Sequence, residues 1–203
     1  QLSVIAIVTI CTIACSTNIP MSTSLDDELV YDLEVNDSIP IVFKLENQLT
    51  SGSFFQYEKG DGNVLYPVED EMVYNEYVVL TQMLNDFMRY RFANTSGSEP
   101  AKIDMGLKWV TISSEATEND QATTLNSLLF IHGTRLYTAE VRVEVIITHK
   151  GQTHKRTIYG RANTRAETFK KTKTDVNAYS AVLNKANNRV VYFTNQFLRD
   201  VGL

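Results

Sequence analysis

Cysteine is almost missing from this chain. The two present are Cys11 and Cys15, and none follows. Residues 16–203 therefore hold no disulfide framework and no thiolate metal or redox site. Histidine is nearly as scarce, at three: His132, His149 and His154. A hydrolytic triad needs a nucleophile on a tight turn, a histidine base and an acid that orients it. There is no G-x-S-x-G to supply the first. His149 and His154 flank a turn, but two imidazoles without a third ligand do not make a zinc site. Gly60-Asp61-Gly62-Asn63 lacks the lysine of a phosphate loop and the spaced acids of a calcium loop, so it reads as a turn. Glu69-Asp70-Glu71 is explained as acid at a helix N-terminus, where it complements the dipole. No internal repeat is present, and no apolar run reaches the roughly 20 residues that a membrane-spanning helix needs. These absences predict a protein that is not an enzyme and has no catalytic residue, metal or cofactor.

The longest apolar run is short and lies at the start. In residues 2–15 only Ser3, Thr9 and Thr12 are polar, and no residue is charged. An apolar segment of about 7–15 residues fits the core of an export signal. It ends in Thr12-Ile13-Ala14-Cys15, which is similar to a lipobox, with Thr12 where leucine is usual. We read residues 1–14 as a signal peptide whose charged n-region is missing, since the chain opens on Gln1 rather than Met. Cys15 is then the lipidation site. Residues 15–38 read as the lipidated cysteine and a polar tether (a loose strand at 29–35 is the alternative), and residues 39–203 as one domain. The lipid makes the membrane a partner, because stable anchoring comes from more than one acyl chain. Ser16 follows the cysteine, and a residue other than aspartate there implies outer-membrane sorting in a Gram-negative envelope that resembles the enteric type.

The net charge of −5 hides a division. Residues 16–100 carry 15 acidic and 4 basic side chains, whereas residues 101–203 carry 9 acidic and 15 basic. Such polarity serves either internal matching or a surface for charged partners.

Periodicity supplies the elements. Ile41, Phe43 and Leu45 alternate as a first strand, and residues 64–68 read as a short one. Val73, Tyr77, Leu80, Leu84 and Phe87 form one helical face, closed by Arg89 and Arg91. Ile103, Met105, Leu107 and Trp109 alternate against Asp104, Gly106 and Lys108, predicting a half-buried strand. Residues 113–124 read as a polar loop, and 125–131 as either a helical turn or a strand. Val141, Val143, Val145 and Ile147 face one way, with Glu140, Arg142 and Glu144 facing the other. A turn at residues 149–152 then returns the chain as a hairpin. Val176, Tyr179, Leu183, Ala186, Val190, Phe193 and Phe197 mark a long terminal helix. The expected class is α+β, a two-layer antiparallel sheet with two amphipathic helices packed on one face.

This order, from Asn63 through the helix and the strand 103–112 to the hairpin around Gly151 and the terminal helix, resembles the YajG-type bacterial lipoproteins. More distantly it is similar to auxiliary lipoproteins of lipid-transporting ABC systems. The resemblance implies a non-enzymatic envelope protein that binds partners.

One surface stands out. Lys150, Lys155, Arg156, Arg161, Arg165, Lys170, Lys171 and Lys173 fall within 24 residues in which Glu167 is the only acid. We take Lys155, Arg156, Tyr159, Arg161, Arg165, Lys170 and Lys171 as the candidate partner-binding residues. Their partner could be an envelope protein, anionic lipid, lipopolysaccharide or peptidoglycan; nucleic acid is not expected for an exported protein. Self-association through the C-terminal helix is a further option. The function expected is that of a lipid-anchored interaction or assembly module at the periplasmic face of the outer membrane. The alternatives are a transport auxiliary with an apolar groove between helix and sheet, and a small periplasmic enzyme.

Overall fold

The computed structural model describes residues 24–26, 39–49, 56–59, 70–92, 100–116, 133–168 and 173–203. In chain order the elements are β1 (Ile41–Asn47), β2 (Gln56–Lys59), α1 (Asp70–Arg91), β3 (Ala101–Ala116), β4 (Gly133–His149), β5 (Gln152–Thr168) and α2 (Lys173–Asp200). They form an α+β fold with one sheet and two helices. Cys15, the apolar opening and the strand expected at 64–68 lie outside the described residues. So does residues 125–131. Of the expected polar loop at 113–124, the part through Ala116 belongs to β3.

The sheet runs β1-β3-β4-β5, and β2 also pairs with β3. The expectation of antiparallel pairing holds for β3, β4 and β5. β1 and β2 instead lie parallel to β3, along successive parts of its other edge, so the sheet is mixed. The reason is topological: α1 intervenes before β3, and a helical crossover is what parallel strands require. β4 and β5 meet in a two-residue turn, Lys150 and Gly151, with φ of 50° and 73°. Positive φ at both positions matches the right-handed twist of the flanking strands.

One core holds the two layers together. Ile103, Met105, Leu107, Val141, Val143, Val145, Ile147 and Ile158 point from the sheet into it, against Leu80, Leu84 and Phe87 of α1 and Val182, Leu183 and Val190 of α2. The closest approach is at Gly160. A Cβ there would sit 2.1 Å from the carbonyl oxygen of Ala186 and 2.7 Å from Val190 Cγ2. Only glycine lets the α2 backbone lie so near β5.

Two positions differ from the periodic reading. Phe193, expected on the buried stripe of α2, is 40% exposed and packs edge-on against Tyr192, ring centres 5.3 Å apart. α2 touches α1 as well as the sheet, so its buried arc turns toward Asn187, Val191, Thr194 and Leu198. Trp109, expected beside Ile103, Met105 and Leu107, lies on the opposite face. A register shift between Leu107 and Trp109 inserts Lys108 as an extra residue, and Val110 and Ile112 take over the inward positions. A β-bulge reverses the alternation beyond it.

The chain before β1 touches the helical layer. The Asp26 amide donates to Asn188 Oδ1 at 2.8 Å, Asn188 Nδ2 donates to the Ser24 carbonyl at 3.4 Å, and Leu25 packs against the core. These three are the only described residues of the span 15–38.

Glu76 is the least expected member of the core. It is buried on α1, and neither carboxylate oxygen has a hydrogen-bond partner among the described residues. Burial pushes its carboxyl up to about 7, offset only in part by Asn187 of α2.

Two predictions follow from these contacts. Gly160→Ala forces α2 off its seat, which costs about 3 kcal/mol by overpacking and lowers Tm by roughly 6–12 °C in a domain of this size; an unchanged thermal melt would place α2 elsewhere. For Glu76, the raised folded value means stability is full below the ordinary carboxylate range and is lost as pH rises toward 7. The loss is about 3 kcal/mol. Glu76→Gln should therefore stabilise at pH 8 and change little at pH 5, read by denaturant unfolding at both.

Candidate partner-binding face

Strand alternation sorts the basic stretch into two groups. Val141, Val143 and Val145 point into the core, so Glu140, Arg142 and Glu144 point out from β4. On β5, Ile158, Gly160 and Ala162 point in, and Lys155, Tyr159, Arg161 and Arg165 point out. No helix covers this outer face among the described residues, and Tyr159 is 48% exposed. Four of the seven candidate residues are thus brought together.

Arg156 is not among them. It has the parity of Ile158 and turns toward α2, where its Nη1 donates to Asp200 at 2.8 Å and its guanidinium carbon lies 4.4 Å from the ring centre of Phe197. It is a clasp between β5 and the end of α2. Lys170 and Lys171 lie outside the described residues.

The outer face gains a centre that the sequence pattern did not assign. Trp109 of β3, Arg142 of β4 and Tyr159 of β5 stand opposite one another in register. The Arg142 guanidinium lies 5.9 Å from the Trp109 ring centre and 5.0 Å from that of Tyr159. Cations over aromatic faces at such distances are attracted by the ring quadrupole. Arg142 was legible as outward-facing by alternation. Trp109 was not, because a bulge has no periodic signature.

Ion sets flank this row on both sides. Glu140 accepts from Arg161 through Nε at 3.0 Å and through Nη2, and from Arg142 Nη2 at 3.4 Å. Glu144 lies 2.9 Å from Lys155 and 3.6 Å from Lys108. Each set has one acid and two bases and so leaves one positive charge. A further pair, Lys102 with Asp104 at 2.8 Å, is neutral. Burial works against ionisation of Glu140, but the bonds and charges of Arg161 and then Arg142 outweigh it and hold the carboxyl below its usual range. Lys155 does the same for Glu144, aided by Lys108 and opposed by slight burial.

The acids are paired with bases on an open face, which favours their charged forms and not the protonated form a general acid needs. Among the described residues no three His, Cys, Asp or Glu side chains converge as metal ligands, and no helix is long and apolar enough to cross a membrane. The face offers charge, hydrogen-bond donors and two aromatic rings.

Glu140→Gln tests the ion set. Removing the carboxylate leaves Arg142 and Arg161 together, at a cost of about 1 kcal/mol, since its main partner Arg161 is largely exposed to solvent. A depressed folded value means this stability is present above the ordinary carboxylate range and lost as pH falls below it. Wild type and variant should differ at pH 7 in denaturant midpoint and converge in acid.

No protein-family model matches the chain, and no curated protein matches it. Solved structures do. A protein described only as uncharacterized aligns over 84% of this chain and 95% of its own, at 9% identity and a TM-score of 0.40. Protein XCC0632 from Xanthomonas campestris, of the family DUF330, aligns over 84% of this chain and 91% of its own, at 10% identity and a TM-score of 0.41. A protein from Caulobacter crescentus CB15, provisionally described as a lipoprotein, aligns over 73% of this chain and 89% of its own, at 10% identity and a TM-score of 0.32. Likenesses at this level assign neither a family nor an activity to the chain.

Proposed function

We propose that this protein is a lipid-anchored component of a Gram-negative cell envelope, of the YajG-type lipoprotein family, and that it works without catalysis as an interaction or assembly module. Cys15 carries the lipid, and the domain faces the periplasm from the outer membrane. Two features support the reading. The uncharged, apolar stretch ending at Cys15 fits the core of an export signal. Among the described residues the domain buries one sheet face and leaves the other open, lined by Trp109, Arg142, Tyr159 and their ion sets.

The open face is the observation that carries a binding role. A transport auxiliary would instead need a groove between helices and sheet. That interface is filled among the described residues, where Leu80, Met83, Leu84, Phe87, Val143 and Val182 have no exposed surface. A closed core beside an open polar face favours partner binding over carriage of a lipid.

Lipidation is tested directly. Cys15→Ser should abolish labelling by radioactive palmitate and release the protein from membranes; a variant that still fractionates with membranes refutes the anchor. Ser16→Asp should move the protein from outer- to inner-membrane fractions on a density gradient, and an unchanged position would refute the sorting.

A further inference from the structure

The open face has a centre and a rim. At the centre Arg142 is held between the rings of Trp109 and Tyr159, with its side chain 39% exposed. Its one described carboxylate neighbour is Glu140, at 3.4 Å, and Arg161 engages that carboxylate more closely and through two nitrogens. Arg142 is thus oriented by stacking more than by its ion pair. A planar guanidinium fixed in this way is prepared for a carboxylate, because less side-chain freedom is lost on binding. Around it Lys108, Lys155 and Arg161 outnumber Glu140 and Glu144, and farther along Arg165 of β5 shares its row with the outward Glu115 of β3.

The size suits a macromolecule. β3, β4 and β5 have 16, 17 and 17 residues. At about 3.3 Å per residue and 4.8 Å between strands they present roughly 750 Å². That is near the ~800 Å² per partner of a standard interface. Tryptophan, tyrosine and arginine at the middle with charge at the margin is also the composition of protein interfaces.

Two other occupants fit less well. A second copy under two-fold symmetry would set a net positive face against itself. A lipid surface would want rings that can insert, whereas these are held against Arg142. In addition, Ser24–Asp26 is bonded to Asn188 on the helical layer, so the chain leading to Cys15 meets the domain on the side away from the open face.

We propose that the open sheet face docks an acidic polypeptide segment of a partner protein, and that Arg142 receives one of its carboxylates between Trp109 and Tyr159. This rests on the reading of the protein as an interaction module, but its test does not depend on the lipid. Trp109 is the only tryptophan in the chain, so its fluorescence reports on the site. The unlipidated Cys15→Ser chain is titrated with poly-L-glutamate at low and at high salt, and in parallel with phosphatidylglycerol vesicles and with purified peptidoglycan sacculi. Poly-L-glutamate should shift the emission, and the affinity should fall as salt rises. Arg142→Gln, with its thermal melt as a check on folding, should weaken binding by tenfold or more. Arg142→Lys should lose most of that affinity too, because an ammonium keeps the charge without the stacked fork. Joint reversal of Arg161 and Arg165 to Glu should also weaken binding, and Lys185→Glu on the helical layer should leave it unchanged. The proposal is overturned if poly-L-glutamate gives no response, if Arg142→Lys binds as well as wild type, or if vesicles or sacculi bind more tightly than the polypeptide.

Discussion

The contact between Gly160 and the Ala186 carbonyl governs the arrangement of this domain. It brings the backbone of α2 against β5 more closely than any side chain on the strand would allow. With α2 seated there, Val182, Leu183 and Val190 close over Val141, Val143 and Ile158. α1 completes the layer, its Tyr77 hydroxyl donating to the Leu45 carbonyl on β1 at 3.0 Å. Both helices therefore lie on one side of the sheet. Among the described residues the other side has no covering element, and its chemistry follows from that.

The two sides treat charge in opposite ways. On the open side Glu140 and Glu144 each lie between two bases, where solvent screening keeps the pairs individually weak and the net charge positive. On the closed side Glu76 has no base beside it among the described residues, so burial, eased only in part by Asn187, raises its carboxyl toward neutrality. The first arrangement is suited to meeting a charged partner and the second links stability to pH. Arg156 stands at the boundary, drawn from the basic strand to the end of α2 by Asp200 and Phe197.

Much of the architecture was legible. The alternation of β4 and β5, their turn, and both helices could be read because burial on one face imposes a period of two on strands and near 3.6 on helices. That same alternation placed Tyr159, Arg161 and Arg165 on one outward face. It misplaced Trp109, since one inserted residue at Lys108 reverses every side chain after it without altering composition. It also misjudged Phe193 and did not single out Glu76, because contact with two neighbours turns the buried arc of a helix away from its hydrophobic stripe. Parallel pairing of β1 and β2 was hidden for another reason: direction depends on where a crossover returns the chain.

By itself, then, the amino-acid sequence determined both helices and the strands β1, β3, β4 and β5, though not β2, together with the polarity of charge along the chain and the apolar stretch that ends at Cys15. These are local properties, set by neighbours along the backbone. Only the tertiary structure decided that Trp109, Arg142 and Tyr159 form one row, that Arg156 is a clasp and that Glu76 is buried. Those outcomes depend on register across strands and on the docking of α2 at Gly160, and neither is a function of spacing along the chain.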